Sequence, residues 1–522
     1  MNRHEFKSSF QKITESLEQK RLKEVFDAIA VLLTYLSNWQ LNEKLSECLD
    51  NYKRMLLYLS EGVNDPEQAK IYTDLLRSVH RLADRTILEI KTLIRWSYTY
   101  DMCQSSAFHV SETTEQLIAT MDDWVGKIAL FDLMEEGEEK KKNRQRMEEE
   151  KEKIETRLFH KIWLSNLWNA DEQNLWLQTL NNKLYPSASQ CLIISAITLS
   201  LETVFDERKA QVLLDICELE QEELRQRALT GLLLFLRRYD KRLYLYPNIN
   251  NRLQHLSEQN RFIKDVRYII LQFILSKETE KITRIMKEEI IPGMIKISPK
   301  LNNKIRLDEL FGETGMDEKN PEWQNILEEA GLSDRLQEFT ELQLEGADVM
   351  LSSFIHLKNF PFFWEIHHWF TPFVFDSPAM EDLQVSDFLK ILFKSNMLCN
   401  SDKYSFYFSI SQMSENHRNM MPGGGFSGDS SAIQEMLQEE LPDNPSNKIH
   451  PAARQYIQDL YRFFKLFPNH NDFDDIFTIQ PEFYTIPAIA RFISDPKSRM
   501  IVGEYYFQKN HFTEATEIFD QL

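Results

Sequence analysis

Between Phe354 and Phe375 the chain reads FIHLKNFPFFWEIHHWFTPFVF, where side chains able to do chemistry crowd together. Three histidines (His356, His367, His368) stand among aromatic rings. Imidazole nitrogens are ready zinc ligands, and an aromatic-lined hollow is a setting for a small ligand. Pro361 and Pro372 bracket a segment that reads as one helix of about ten residues, carrying Trp364, Ile366, His367, His368, Trp369 and Phe370. On a helix, neighbours such as His367 and His368 point about 100° apart and do not converge as an i,i+4 pair would. Glu365 precedes the histidines, so the HExxH order is absent. Trp364, His367, His368, Trp369 and Phe373 are therefore candidates for a ligand site or a structural junction. The junction is the expectation, with no metal or cofactor assigned.

Other stretches fit known chemistry only by letter. Gly423-Gly424-Gly425-Phe426-Ser427-Gly428 contains G-x-G-x-x-G, but phosphate binding needs a strand before it and a helix after it. Here residues Ser401 to Met421 read as a helix capped by Ser401, and Asp429, Ser430 and Ser431 follow, so a loop is expected. Asp429 also takes the place of the second glycine of a nucleophile elbow. Asn469 to Asp475 clusters acids and amides without the glycine and closing glutamate of an EF-hand, which predicts a capped loop. No spacing selects a Ser/His/Asp or Cys/His set, so no catalytic residue is nominated and the chain is read as non-enzymatic.

Composition narrows the classes further. With 522 residues the chain is too long for one small core. Only 14 glycines and 17 prolines argue against a turn-rich β architecture. A net charge of -20 disfavours nucleic acid, which needs a positive field. Five cysteines without a CxxC pair read as reduced thiols of a cytoplasmic protein. The start, MNRHEFKSSFQK, lacks the apolar core of a signal peptide. The stretch Cys191 to Leu201 is too short to span a bilayer, so no membrane role is expected.

The elements that must position these residues read as helices. Leu22, Val25, Phe26, Ile29, Leu32, Leu33, Leu36 and Trp39 recur at helical steps. A second helix runs from Leu41 to Leu59 and ends near Gly62, a third from Ile71 to Ile94. A fourth is capped by Ser111, with Leu117, Met121, Trp124 and Ile128 inward. The run from Glu135 to Lys153 has few apolar positions and reads as a charged linker helix. The divisions drawn are a bundle or solenoid start over 1–134, the charged linker over 135–157 and helical repeats over 158–297. A junction loop (298–321), an aromatic-rich helical segment (322–421) and a loop with one short helix (422–449) come next. A helical segment (450–495) and a repeat start (496–522) close the chain.

Two tracts carry family resemblances. Glu223-Leu224-Arg225 and Asp265-Val266-Arg267 each head an apolar helix, with Ala188-Ser189-Gln190 as a looser first echo, and this resembles the HEAT repeat. In that family the Arg can tie one unit to the next. At Arg499 to Leu522 the spacing Gly503, Tyr506, Phe512, Ala515, Phe519 resembles the tetratricopeptide repeat (TPR), with Arg499 and Val502 replacing its usual Trp and Leu. The TPR resemblance implies a helix pair in which these five residues pack, continued by further repeats beyond Leu522. The expected fold is all-α, an α-solenoid with irregular segments. The expected role is a cytoplasmic scaffold holding a peptide or helix of a protein partner. The rivals are a sensor binding a small ligand against Trp364, Trp369 and Phe373, or an enzyme with a dispersed active site.

Overall fold

The computed structural model describes residues 3–62, 66–93, 97–105, 112–131, 137–165, 167–290, 292, 348, 351–375, 392–394, 396, 398–413, 451–478 and 482–522. Among them the chain is all-α, with no strand. The glycine-rich run Gly423 to Gly428, the 298–321 junction and the helical pattern from Trp323 to Leu344 lie outside the described residues.

Helices α1 (Arg3–Glu18), α2 (Leu22–Leu33), α3 (Trp39–Ser60) and α4 (Gln68–Leu93) pack together. On α2 the periodic residues Leu22, Val25, Phe26, Ile29, Leu32 and Leu33 are all buried. The pattern predicted to continue to Trp39 instead breaks after Leu33. Asn38 caps α3, its side chain accepting from the Gln40 and Leu41 amides, and Trp39 is exposed. An Asn that satisfies two orphan N–H groups makes a new start more favourable than a continued helix. Gly62 closes α3 in the left-handed region, where the lack of a Cβ removes the strain.

After α5 (Tyr98–Ser105), helix α6 (Thr114–Phe131) opens on a capping box: Thr113 Oγ1 accepts from the Gln116 amide while Gln116 Oε1 accepts from the Thr113 amide. Ser111, expected as its cap, lies outside the described residues. The charge run forms the first half of α7 (Glu138–Trp163), so the division at 157 falls inside a helix. Few apolar residues are needed to seat it. Trp124 Nε1 donates to the Met147 carbonyl, and Lys127 pairs with Glu150, which fastens α6 along the run. The second half then puts Ile154, Leu158, Phe159 and Ile162 into the core.

Helices α8 (Ala170–Asn181) to α13 form the centre: α9 (Ser187–Thr203), α10 (Glu207–Ile216), α11 (Glu222–Tyr239), α12 (Pro247–Ser257) and α13 (Asn260–Ile285). They lie in two rows, α7, α9 and α11 in one and α8, α10 and α12 in the other. Helix α9 is buried on every side, which explains why Cys191 to Leu201 is apolar without a polar face. Gly231 of α11 meets it there, and a Cβ at that position would overlap Thr198 Oγ1. A buried ion pair, Arg225 with Asp265, joins α11 to α13.

Helices α14 (Asn400–Ser411), α15 (Pro451–Leu466), α16 (Pro496–Gln508) and α17 (Phe512–Phe519) complete the described fold. α15 packs on α11 and α13, and one continuous core reaches from Phe6 to Ile518. Ser401 does not cap α14 but sits inside it: its amide donates to Asp459 of α15, which also accepts from Asn400 Nδ2. A carboxylate from the neighbouring helix thus supplies the cap and favours the positive end of α14. No described helix is long and apolar enough to cross a membrane.

Candidate functional site

The aromatic block is not one helix. Pro361–Trp364 and Ile366–Trp369 are two short 3-10 turns, with Glu365 extended between them. Proline starts the first turn because its missing N–H is an orphan there in any case. The inward set still follows helical spacing, but two turns rather than one helix deliver it. Phe363, Ile366, Trp369 and Phe370 all go fully inward, while Trp364 stays 64% exposed. Trp369 Nε1 donates to the Phe363 carbonyl, so the indole is buried with its polar edge satisfied. Phe373 is half-buried, stacked on Phe393 at 5.1 Å with the edge of Tyr404 beside it. Trp364, Trp369 and Phe373 therefore do not face one hollow.

The turn geometry also corrects the argument about the histidines. The rings of His367 and His368 are 4.0 Å apart, close neighbours rather than side chains splayed by a helix. His160 of α7 stands 6.4 Å from His367, edge-on. His367 Nε2 contacts Thr156 Oγ1 at 3.2 Å. Burial, reinforced by His368 and His160, holds His367 well below the ordinary histidine range and therefore neutral. His368 Nδ1 donates to the Phe362 carbonyl, and its Nε2 lies 3.3 Å from Glu152 Oε1. That contact holds the Glu152 carboxyl below its usual range. His356 is exposed. Among the described residues no group of three His, Cys, Asp or Glu is disposed to hold a metal ion.

Beneath the block lies a buried charge network that the sequence reading missed. Arg462 of α15 reaches Asp348 and Asp402, the latter at 2.6 and 3.2 Å. Lys358 Nζ is 2.8 Å from Asp402 Oδ1 and sits over the Phe363 ring at 4.6 Å. Burial pushes the Asp402 carboxyl up, against the pull of Lys358. A fork of guanidinium donors between two carboxylates is the geometry in which a buried Arg is compensated. The signal was present in Tyr456-Ile457-Gln458-Asp459-Leu460-Tyr461-Arg462-Phe463-Phe464, where Asp459 and Arg462 interrupt an otherwise apolar face. A space of about 10 Å³ beside Asp348 and Arg454 has room for one water.

At the other end of the chain the TPR-like residues distribute unevenly. Gly503 is buried under the Phe519 ring, and a Cβ there would lie 2.6 Å from Phe519 Cε1. Tyr506 and Ala515 are buried, while Phe512 is exposed against Phe507 and stays out of the pair's interior. Asn510 turns the chain between α16 and α17 in the left-handed region.

An open site lies instead between α3 and α4, a groove of about 560 Å³. Cys48 and Leu75 form its buried floor, with Met55 half-buried beside them. Tyr58 (57% exposed) and Ile71 (50% exposed) stand on its two walls, and Leu56, Leu57 and Leu59 are exposed nearby. The sequence signal was Met55-Leu56-Leu57-Tyr58-Leu59, an apolar run that goes all round the helix where one inner face would need only part of it. No protein-family model, no curated protein and no solved structure matches this chain.

Proposed function

We propose that this chain is a non-catalytic cytoplasmic scaffold or adaptor, a helical-repeat α-solenoid that holds a peptide or helix of a protein partner. The observation that carries the reading is the α3–α4 groove, open to solvent, where exposed Tyr58 and Ile71 stand among charged and polar side chains over an apolar floor. Contiguous exposed apolar surface rimmed by polar groups marks interaction sites. The repeat reading draws support from three features: the two rows of helices, the α16–α17 pair, and polar ties between successive units. One tie is Arg225 with Asp265, and the next is Arg267, which donates to Ser498 Oγ of α16. Placement in a reducing compartment draws support from the five free cysteines. A net charge of -20 turns the reading away from nucleic acid.

The test is recovery from native lysate of the source cells with the tagged full chain, at several salt concentrations. A protein partner retained in stoichiometric amount is expected. If the bait returns alone at every salt concentration, the scaffold reading is lost.

A further inference from the structure

The shape of the α3–α4 groove specifies more than a generic sticky surface. Its α3 wall is built from Lys44, Glu47, Asn51, Arg54, Met55 and Tyr58, which recur every three or four residues. At about 1.5 Å per residue, Lys44 to Tyr58 spans about 21 Å. The opposite wall repeats at the same step on α4, from Gln68 through Ile71 and Asp74 to Ser78. Two walls with helical period form a trough into which the ridges of a third helix fit. The groove face is turned roughly a quarter-circle from the α3 face of Leu41, Leu45 and Cys48, at about 100° per residue. That inner face is the one buried in the bundle with α2. Among the described residues the hairpin therefore has one side covered and an adjacent side left open.

The charges on the rim narrow the occupant. Lys44 is paired with Glu47 at 2.7 Å, and Asp74 with Arg77 at 2.8 Å. Arg54 has no ion pair with a described residue, so it is the lining charge left for an incoming carboxylate. A second copy is the weaker fit, since it brings together two chains of net charge -20.

We infer that the groove takes an amphipathic helix of about four turns from a partner protein, its apolar i, i+3/i+4, i+7 stripe packed between Tyr58 and Ile71 and one acidic side chain against Arg54. The inference rests on the scaffold reading and adds the partner's chemistry to it.

The experiment is panning of the full chain against phage displaying fully randomised peptides of about sixteen residues, enough for about 24 Å of helix. Recovered peptides are expected to share a helical apolar period with Asp or Glu enriched at one fixed position. Synthetic copies should gain helical circular dichroism on binding and lose about thirtyfold in affinity for Ile71→Glu. Panning against Arg54→Glu should replace the acid by Lys or Arg at that same position. Both substitutions are on exposed side chains, and thermal unfolding checks that each variant is folded. Peptides without helical period, binding indifferent to Ile71→Glu, or an acid position unmoved by Arg54→Glu each overturn the inference. So does Ile71-dependent self-association by light scattering, which would make a second copy the occupant. A lysate partner retained by wild type and by Ile71→Glu alike would sink the groove inference and leave the scaffold reading standing; a bait that returns alone sinks both.

Discussion

Residues 360–373 and residues 55–59 are both dense in apolar side chains, yet they end in opposite environments. In the first tract two tight turns drive Phe363, Ile366, Trp369 and Phe370 completely inside, over a network that links Lys358, Asp402, Arg462 and Asp348. In the second, Leu56, Leu57, Tyr58 and Leu59 stay in solvent beside an open groove. The tract with histidines, tryptophans and a glutamate looked the more chemical, and its side chains are spent on packing and on each other. The tract without reactive groups is the one left available. Residue type alone therefore says less about function than whether neighbouring elements use up every face of the helix.

The sharpest way to break this contrast is to strip the buried network. Asp402→Ala leaves Arg462 with one carboxylate and removes the nearest anion from Lys358. Breaking a buried pair by deleting one partner destabilises by about 3–5 kcal/mol. Urea unfolding followed by circular dichroism measures it. A change under about 1 kcal/mol would mean that the cluster is hydrated like a surface ion pair, and the block would no longer count as a closed junction.

A paired substitution sharpens the contrast inside the block itself. Trp369→Ala empties a fully buried site and should destabilise by about 3–5 kcal/mol. Trp364→Ala, five positions earlier and solvent-facing, should change stability by less than about 0.5 kcal/mol. Equal effects at the two positions would mean that Trp364 is buried as deeply as Trp369, against their opposite exposures.

How much of this was legible follows from which forces act locally. The all-α class, the inner face of α2 and the length of α3 came from apolar periodicity, a local signal that each helix carries by itself. The break at Asn38 was also local, but a run of apolar residues at the right step masked its capping chemistry. The aromatic block was misread because Pro361 and Pro372 delimit a helix and a pair of 3-10 turns equally well. Only burial by Phe159, Phe463 and their neighbours decides between them. Arg462, Asp402 and Lys358 lie far apart in sequence, so no spacing could join them. The groove depends on where α2 is absent, which no stretch of α3 records.

Acid should unsettle the aromatic block and the inner side of α4, because each holds a neutral buried histidine. Burial and the neighbouring Arg242 pull His80 of α4 down to about 3, and burial holds His367 well below 6.5. In the unfolded chain a histidine takes up its proton near about pH 6.5. Below that pH the unfolded state binds protons that the folded state refuses, so stability rises with pH and falls on acidification. For His80 the window runs from about 6.5 down to about 3; for His367 it opens at the same upper end. Each group contributes at most about 1.4 kcal/mol per pH unit. Denaturant titrations between about pH 5 and pH 7 should show a shallower loss in His80→Gln and in His367→Gln than in wild type. Unchanged slopes in both variants would mean that these rings are hydrated and titrate normally, which contradicts their burial.

The smallest expected effect is the most diagnostic for the groove. Ile71→Glu exchanges a half-exposed apolar side chain for a better helix former on α4, so stability should move by less than about 0.5 kcal/mol. One turn further along α4, Leu75 is buried, and Leu75→Ala should destabilise by about 2–5 kcal/mol. The two residues line the same groove, one as wall and one as floor. If the floor is also the edge of the core while the wall serves only a partner, then stability depends on the first and binding on the second. A loss above about 2 kcal/mol for Ile71→Glu would place Ile71 among core residues. The groove would then be closed in solution, and the open apolar surface that motivates the scaffold reading would disappear with it.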